Sequence, residues 1–350
     1  MRLPGYNLLW VILLLAGILK LSEGGLFPEI SNGISFHGQL HVEGVNLIDE
    51  QGQITTLRGM SSHGITWYPQ YLNGRAMKTL REYGANLFRI AMYTEPPGAY
   101  LDDRERSMEY LYMGIESALS QDMYVIVDWH ILEDGDPNEF VDEAEVFFHE
   151  VSAHYADEPG ILYEICNEPN GETTWGDIVR YTERIIPVIR SNAPEAVIIV
   201  GTPQYCTDFT ELLEQPLNFE NIMYSLHRYI DISVEEPVDA GQLPALLEQG
   251  IPVFVSEWGV AMGAQAYLAG KETDLSGNAY PERAQPFLDY MADNNISWAG
   301  WALNNKEEWH SAVRDDCEKL SGWTEEDLTI SGRLMFKNFR THVWEESSDE

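Results

Sequence analysis

The strongest constraint in this sequence is a repeated alternation. Eight short apolar runs recur along the chain. They are "TTLRGMSSHG" (55–64), "ANLFRIAMYT" (85–94), "MYVIVDWHIL" (123–132), "GILYEICNEP" (160–169), "AVIIVGTPQY" (196–205), "NIMYSLHRYI" (221–230), "IPVFVSEWGV" (251–260) and "SWAGWALNNK" (297–306). Helical patterns separate several of them: "GRAMKTLREYG" (74–84), "RSMEYLYMGIESALSQ" (106–121) and "EAEVFFHEVSAHYAD" (143–157). In 175–192, Ile178, Ile185, Ile186 and Ile189 share one helical face. Strand-then-helix units require parallel strands joined by crossovers. Eight of them over about 300 residues predict an α/β fold, a (β/α)8 TIM barrel. The alternative, a doubly wound open sheet, lacks the G-x-G-x-x-G that would follow its first strand. Residues 34–54 read as a short N-terminal β-hairpin ahead of the barrel, suited to plug its bottom.

Active sites in such barrels form at the C-terminal ends of the strands, and the polar residues of these runs gather there. His63 ends the first run. Arg89 and Tyr93 belong to the second, Asp128, Trp129 and His130 to the third, and Asn167 and Glu168 to the fourth. His227, Arg228 and Tyr229 follow in the sixth, Glu257 and Trp258 in the seventh, and Trp301, Asn304, Asn305 and Lys306 in the eighth. In "LYEICNEPNG", Pro169 forbids another ladder donor, so Glu168 stands at a strand tip. A carboxylate there is costly unless something uses it. Glu257 is its counterpart three strands away, across a closed barrel. Two facing carboxylates among aromatic residues fit glycoside hydrolysis. One protonates the leaving oxygen; the other attacks the anomeric carbon or activates water. Spacing alone leaves open which does which. Trp and Tyr faces would stack on sugar rings, and Asn167 would reach a sugar 2-OH.

The motifs "YEICNEP", "VSEWG", "FRIAMYT", "VIVDWHIL" and "SLHRY" resemble those of the cellulases of glycoside hydrolase family five, in the retaining (β/α)8 clan. The resemblance runs from about Gly38, through "LRGMSSHGITWY", to about residue 345. It implies Glu168 as acid/base and Glu257 as nucleophile. It also implies Arg89, His130, Asn167, His227 and Tyr229 as their supporting residues. Trp301 is implied as a sugar platform, with His63, Trp67, Tyr93, Tyr205, Lys306 and Glu308 as substrate contacts. Trp258 reads equally well as core. In this scheme Arg89 and Tyr229 keep Glu257 ionised, and the charge on Glu257 keeps Glu168 protonated for the first step. Two positions depart from the usual pattern. Cys166 stands where a small residue such as Ala is common, and Tyr205 stands where a Trp often forms a sugar platform.

Charge narrows the partner. The 350-residue chain carries 57 acidic against 21 basic residues, a formal charge of -36. Such a polyanion repels nucleic acid and anionic lipid and suits a neutral partner, which the resemblance implies is a polysaccharide, cellulose or a related β-glucan. No cofactor, metal site or obligate protein partner is expected. Cys166, Cys206 and Cys317 lack zinc-site spacing, and Asp134, Asp136 and Asn138 lack the glutamate that would complete a cation loop. Arg2 followed by the apolar run Leu8–Leu19 reads as a signal peptide over residues 1–24, or an N-terminal anchor, with the folded part secreted. Residues 25–345 would form the catalytic barrel and 346–350 an acidic tail. The expected activity is internal cleavage of β-1,4-glucan with retention. The same chemistry on mannan, mixed-linkage glucan or xylan is the alternative, and a non-catalytic carbohydrate-binding barrel a remote one.

Overall fold

The computed structural model describes residues 32–262 and 279–340. The expected export segment and the acidic tail lie outside these. The described chain opens with a helical turn, Ile34–His37, and a small antiparallel sheet. Its strands are β1 (His41–Glu43), β2 (Asn46–Ile48) and β3 (Ile54–Thr55). The expected hairpin is therefore a three-stranded meander, because Ile54 and Thr55 pair back onto β2 instead of starting the barrel.

Eight parallel strands then close into a barrel. They are β4 (Arg58–Ser62), β5 (Leu87–Tyr93), β6 (Tyr124–His130), β7 (Ile161–Glu164), β8 (Ile198–Val200), β9 (Ile222–Asp231), β10 (Val253–Ala261) and β11 (Trp298–Leu303). β11 pairs with β4 and completes the ring. The long crossover helices are Gly74–Tyr83, Arg104–Leu119, Val141–His154 and Trp175–Asn192, close to their sequence patterns. Local chemistry sets their ends. Asn73 accepts hydrogen bonds from the amides of Arg75 and Ala76, and Gly84 ends that helix at φ 109°, a conformation that favours glycine. Thr174 and Asp177 form a reciprocal capping box on the last of the four. The described crossover helices of the second half are shorter, including Thr210–Glu214, Leu243–Glu248 and Gln285–Asp293.

Strand alternation sorts the side chains into two cores. Outward residues such as Phe88, Ile90, Val125, Val127, Tyr163 and Leu226 pack in the large cluster with the helices. Inward residues at the bottom of the barrel are apolar: Leu57, Leu87, Tyr124, Ile126, Leu162, Ile199, Met223 and Phe254. Leu40 and Leu47, beside and within the small sheet, join this inner cluster and seal it from below. Higher up, the inward positions become polar: Arg89 two residues after Leu87, Asp128 after Ile126, Glu164 after Leu162, and Ser225 after Met223.

Both Leu40 and Leu47 are essentially inaccessible to solvent. Leu47→Ala should therefore cost about 2–5 kcal/mol through lost burial and an unfilled cavity. Urea unfolding of the two proteins would measure this, and an unchanged midpoint would show that the sheet does not seal the barrel.

Candidate active site

The polar inward layer is organised by Arg89, a fully buried guanidinium on β5. Its Nε donates to Glu164 Oε2 at 2.6 Å. Nη1 donates to Glu257 Oε2 at 3.0 Å and to Ser61 Oγ at 3.2 Å. Nη2 donates to Asn167 Oδ1 at 2.6 Å and lies 3.0 Å from Asp128 Oδ2. Burial alone would lower the pKa of Arg89, but Asp128, Glu164 and Glu257 lift it well above its ordinary value. Burial also opposes ionisation of Glu164, yet the Arg89 charge carries it down to about 2. Asp128 moves the other way: burial, with help from Glu164 and Glu257, outweighs Arg89 and raises it.

A bulge in β10 positions Glu257. Phe254 pairs with Ser225 and Glu257 with His227, so β10 spends three residues where β9 spends two. Ser256 and Glu257, though adjacent, therefore both reach the interior network, while Trp258 turns outward. Glu257 Oε1 accepts from the Tyr229 hydroxyl at 2.6 Å. Opposite, the β7 ladder ends at Glu164, earlier than the sequence suggests, and Glu168 stands four residues beyond it. The loop carrying Glu168 is pinned from the side. Cys206 Sγ donates to Asn167 O at 2.9 Å, and the Tyr205 amide donates to Pro169 O at 3.0 Å. Gln204, Tyr205 and Cys206 all have φ between 55° and 58°, a run of left-handed residues that costs about 1–3 kcal/mol each.

His227 joins the two sides. Its Nδ1 lies 2.8 Å from Glu168 Oε1, and its Nε2 lies 3.0 Å from Ser256 Oγ. Burial disfavours the charged ring, but Glu257, Glu164 and Glu168 together raise its pKa to about 10. Ligand atoms of Glu168, His227 and Glu257 all fall within 4.8 Å of one another. Such a trio could hold a cation. Here Nδ1 of His227 already sits at hydrogen-bond distance from Glu168, and Arg89 pairs with Glu257.

The substrate residues expected from sequence fall into two groups. His130 stacks on Trp301 with ring centroids 5.2 Å apart and meets Tyr93 at 4.1 Å. His63 lies 5.4 Å from Trp301 and 6.4 Å from Trp67, which is partly exposed and meets Tyr93 at 4.9 Å. Lys306 Nζ reaches Glu308 at 2.7 Å, and Glu308 lies 3.8 Å from His63. These form one aromatic and charged wall. Tyr205 stands apart from it, on the Glu168 side, and is half exposed. Trp258 is core, packed behind the barrel against Trp298 and Phe287. Asp134 and Asp136 are turn residues: Asp134 accepts from Thr94 and Leu132, and Asp136 from Asn138. Cys166 and Cys206 are buried free thiols.

Sequence reading missed Glu164, Ser225 and Ser256 entirely and gave Asp128 no role. The signal was present on β5, β6, β7, β9 and β10 as a polar residue two positions after an inward apolar one. Asp128 Oδ2 lies 2.6 Å from His130 Nδ1. Burial, then Arg89, lowers His130 to about 3, so the neutral ring donates from Nδ1 to Asp128 and presents Nε2 to the Asn167 amide, 3.4 Å away.

A closed parallel barrel with two carboxylates converging across its mouth, backed by a wall of aromatic rings, defines a glycoside hydrolase. Comparison with known proteins agrees. Residues 48–307 match the family model described as Cellulase (glycosyl hydrolase family 5). The chain is 40% identical over 308 residues to endoglucanase A of Butyrivibrio fibrisolvens, covering 86% of this chain and 68% of that one. It is equally similar to an endoglucanase of Clostridium saccharobutylicum, covering 87% and 65%. Among solved structures, the catalytic domain of Thermobifida fusca endoglucanase Cel5A bound to cellotetraose superposes with TM-score 0.77 at 30% identity, covering 87% of this chain and 98% of that one. A halotolerant cellulase from an Icelandic hot spring isolate superposes with TM-score 0.78 at 33% identity, covering 89% and 97%. The chain belongs to glycosyl hydrolase family 5, the cellulase family. It spans about two thirds of the length of the curated relatives it matches.

The raised pKa of His227 has a stability consequence. A group protonated more tightly in the folded state stabilises fully below its unfolded pKa of 6.5, and that contribution is lost as pH rises towards 10. Denaturation between pH 6 and 10 should show this falling slope, and His227→Asn should flatten it. An identical slope in the variant would assign the pH dependence to other groups.

Proposed function

We propose that this chain is a retaining endo-β-1,4-glucanase that cuts internal bonds of cellulose and related β-glucans. The observation that carries the stereochemistry is the separation of the two glutamates, with one oxygen of each within 4.8 Å of the other. An approach that close fits the shorter carboxyl spacing of retaining enzymes, in which a carboxylate attacks directly, better than the wider spacing that admits a water.

In this reading Glu257 is the nucleophile. Two donors, Arg89 and Tyr229, fix one oxygen each and stabilise its negative charge. Glu168 is the acid/base. It protonates the glycosidic oxygen as Glu257 bonds to the anomeric carbon, then takes a proton from the water that releases the sugar. Formation of the glycosyl ester removes the Glu257 charge, which favours deprotonation of Glu168 when a base is needed. His227 fixes one Glu168 oxygen and leaves the other for the substrate. Asn167, held by Arg89 and the Ile131 carbonyl, is placed to meet a sugar hydroxyl. His63, Trp67, Tyr93, Trp301, Lys306 and Glu308 line the wall on which successive sugars rest, and Tyr205 offers a smaller platform on the Glu168 side. The apolar run Leu8–Leu19 behind Arg2 supports export of the enzyme, or its anchoring at the N-terminus, with the barrel outside the cell.

Four readouts test the proposal. Viscosity of carboxymethyl cellulose should fall quickly while few reducing ends appear; cleavage confined to mannan, mixed-linkage glucan or xylan would keep the chemistry and overturn the substrate. The first product seen by proton NMR should be the β-anomer. Glu257→Gln should lower kcat by at least about 10³-fold with an unchanged fold, and near-normal turnover would sink the assignment. Glu168→Ala should be rescued by azide with formation of the β-glycosyl azide.

A further inference from the structure

Glu164 is a fully buried carboxylate of this layer that the mechanism above leaves without a task, since it does not touch the space where a sugar would react. We infer that Glu164 is a positioning residue for the acid/base: through Ser225 and Ser256 it holds the His227 ring in the orientation from which His227 serves Glu168. The inference rests on the glycosidase reading of the site.

The geometry is directional. Glu164 divides its two oxygens between two tasks. Oε2 takes the Arg89 Nε–H. Oε1 accepts from Ser256 Oγ at 2.6 Å and from Ser225 Oγ at 2.9 Å. Those hydroxyls, in contact with each other, lie 3.0 and 3.2 Å from His227 Nε2. The opposite ring nitrogen faces Glu168. With the ring protonated, every donor has one direction: Nδ1–H to Glu168, Nε2–H to a serine, and serine O–H to Glu164. Glu164, Ser225 and Ser256 are all fully buried, so water does not take over any link. A ring whose Nε2–H lacked this anchor could turn about its χ2 or lose its proton, and either change would alter the bond to Glu168. The strands involved, β7, β9 and β10, are not all neighbours in the barrel, so the chain of bonds crosses its interior and is not a by-product of pairing.

A purely structural role and a positioning role differ in what they do to leaving groups. A dinitrophenolate departs with little proton assistance, whereas the alcohol of a cello-oligosaccharide needs the acid. Glu164→Gln keeps the side-chain shape and removes the charge. Its kcat/KM should fall about 10²-fold on cellopentaose and less than about tenfold on 2,4-dinitrophenyl β-cellobioside. The double variant Ser225→Ala with Ser256→Ala leaves the Arg89–Glu164 pair in place and should show the same selective loss. It decides the matter if Glu164→Gln does not fold, as judged by circular dichroism. Equal losses on the two substrates, or none on either, would overturn the inference. The wild-type protein is the control: if it cleaves neither substrate, the glycosidase reading itself fails, and the variants then have no bearing.

Discussion

The polar layer inside this barrel is organised by one cation. Arg89 is removed from water, and so are the carboxylates it meets. Burying such charges costs several kcal/mol each unless geometry returns it. The guanidinium does so with a rigid fork that addresses Glu164, Glu257, Asn167, Asp128 and Ser61 from three nitrogens. A lysine has a single ammonium point and could not span these partners. The same constraint sets the protonation of its surroundings. One arginine cannot balance Asp128, Glu164 and Glu257. His227 supplies a second positive charge, and Asp128 is pushed towards its neutral form. The site is thus a balanced set of charges before any sugar arrives, which is what preorganisation means in electrostatic terms.

The barrel was legible because its physics is periodic. Eight apolar runs and the helical patterns between the early ones could be read directly, and the four long helices lie within a few residues of those patterns. Glu168 and Glu257 were legible as charged residues at the tips of apolar strands. What sequence reading lost depends on register and on distance along the chain. Glu164 looked like one more residue of an apolar run, since nothing local shows that it faces Arg89, 75 positions earlier. The bulge that brings Ser256 inward beside Glu257 is invisible in "FVSEWG", because strict alternation would send one of the two outward. Thr55 looked like the start of the barrel, but its pairing with Leu47 assigns it to the small sheet. Tyr205 was correctly placed after a strand, yet its left-handed backbone is a strain that only its tertiary contacts explain.

The wall of rings and the isolated Tyr205 give the mouth two unequal sides. Trp301, His130, Tyr93, His63 and Trp67 touch one another in series, so each ring limits the tilt of the next. Tyr205 has backbone anchoring and no ring neighbour among the described residues. A sugar on the first side meets a surface already ordered, while on the second it meets one side chain with freedom to adjust. Ordering such a side chain on contact costs about 0.5–1.5 kcal/mol, which an already rigid wall does not incur.

The closure at the bottom of the barrel bears on how such a protein can change over time. Leu40 and Leu47 complete the apolar plug from below, and the buried ion network completes the middle layer. Among the described residues, this closure is made by side chains below and within the strands. The nucleophile is inherited with the inner layers, whereas the acid/base rides on a rim loop that the Tyr205–Cys206 segment must keep in place.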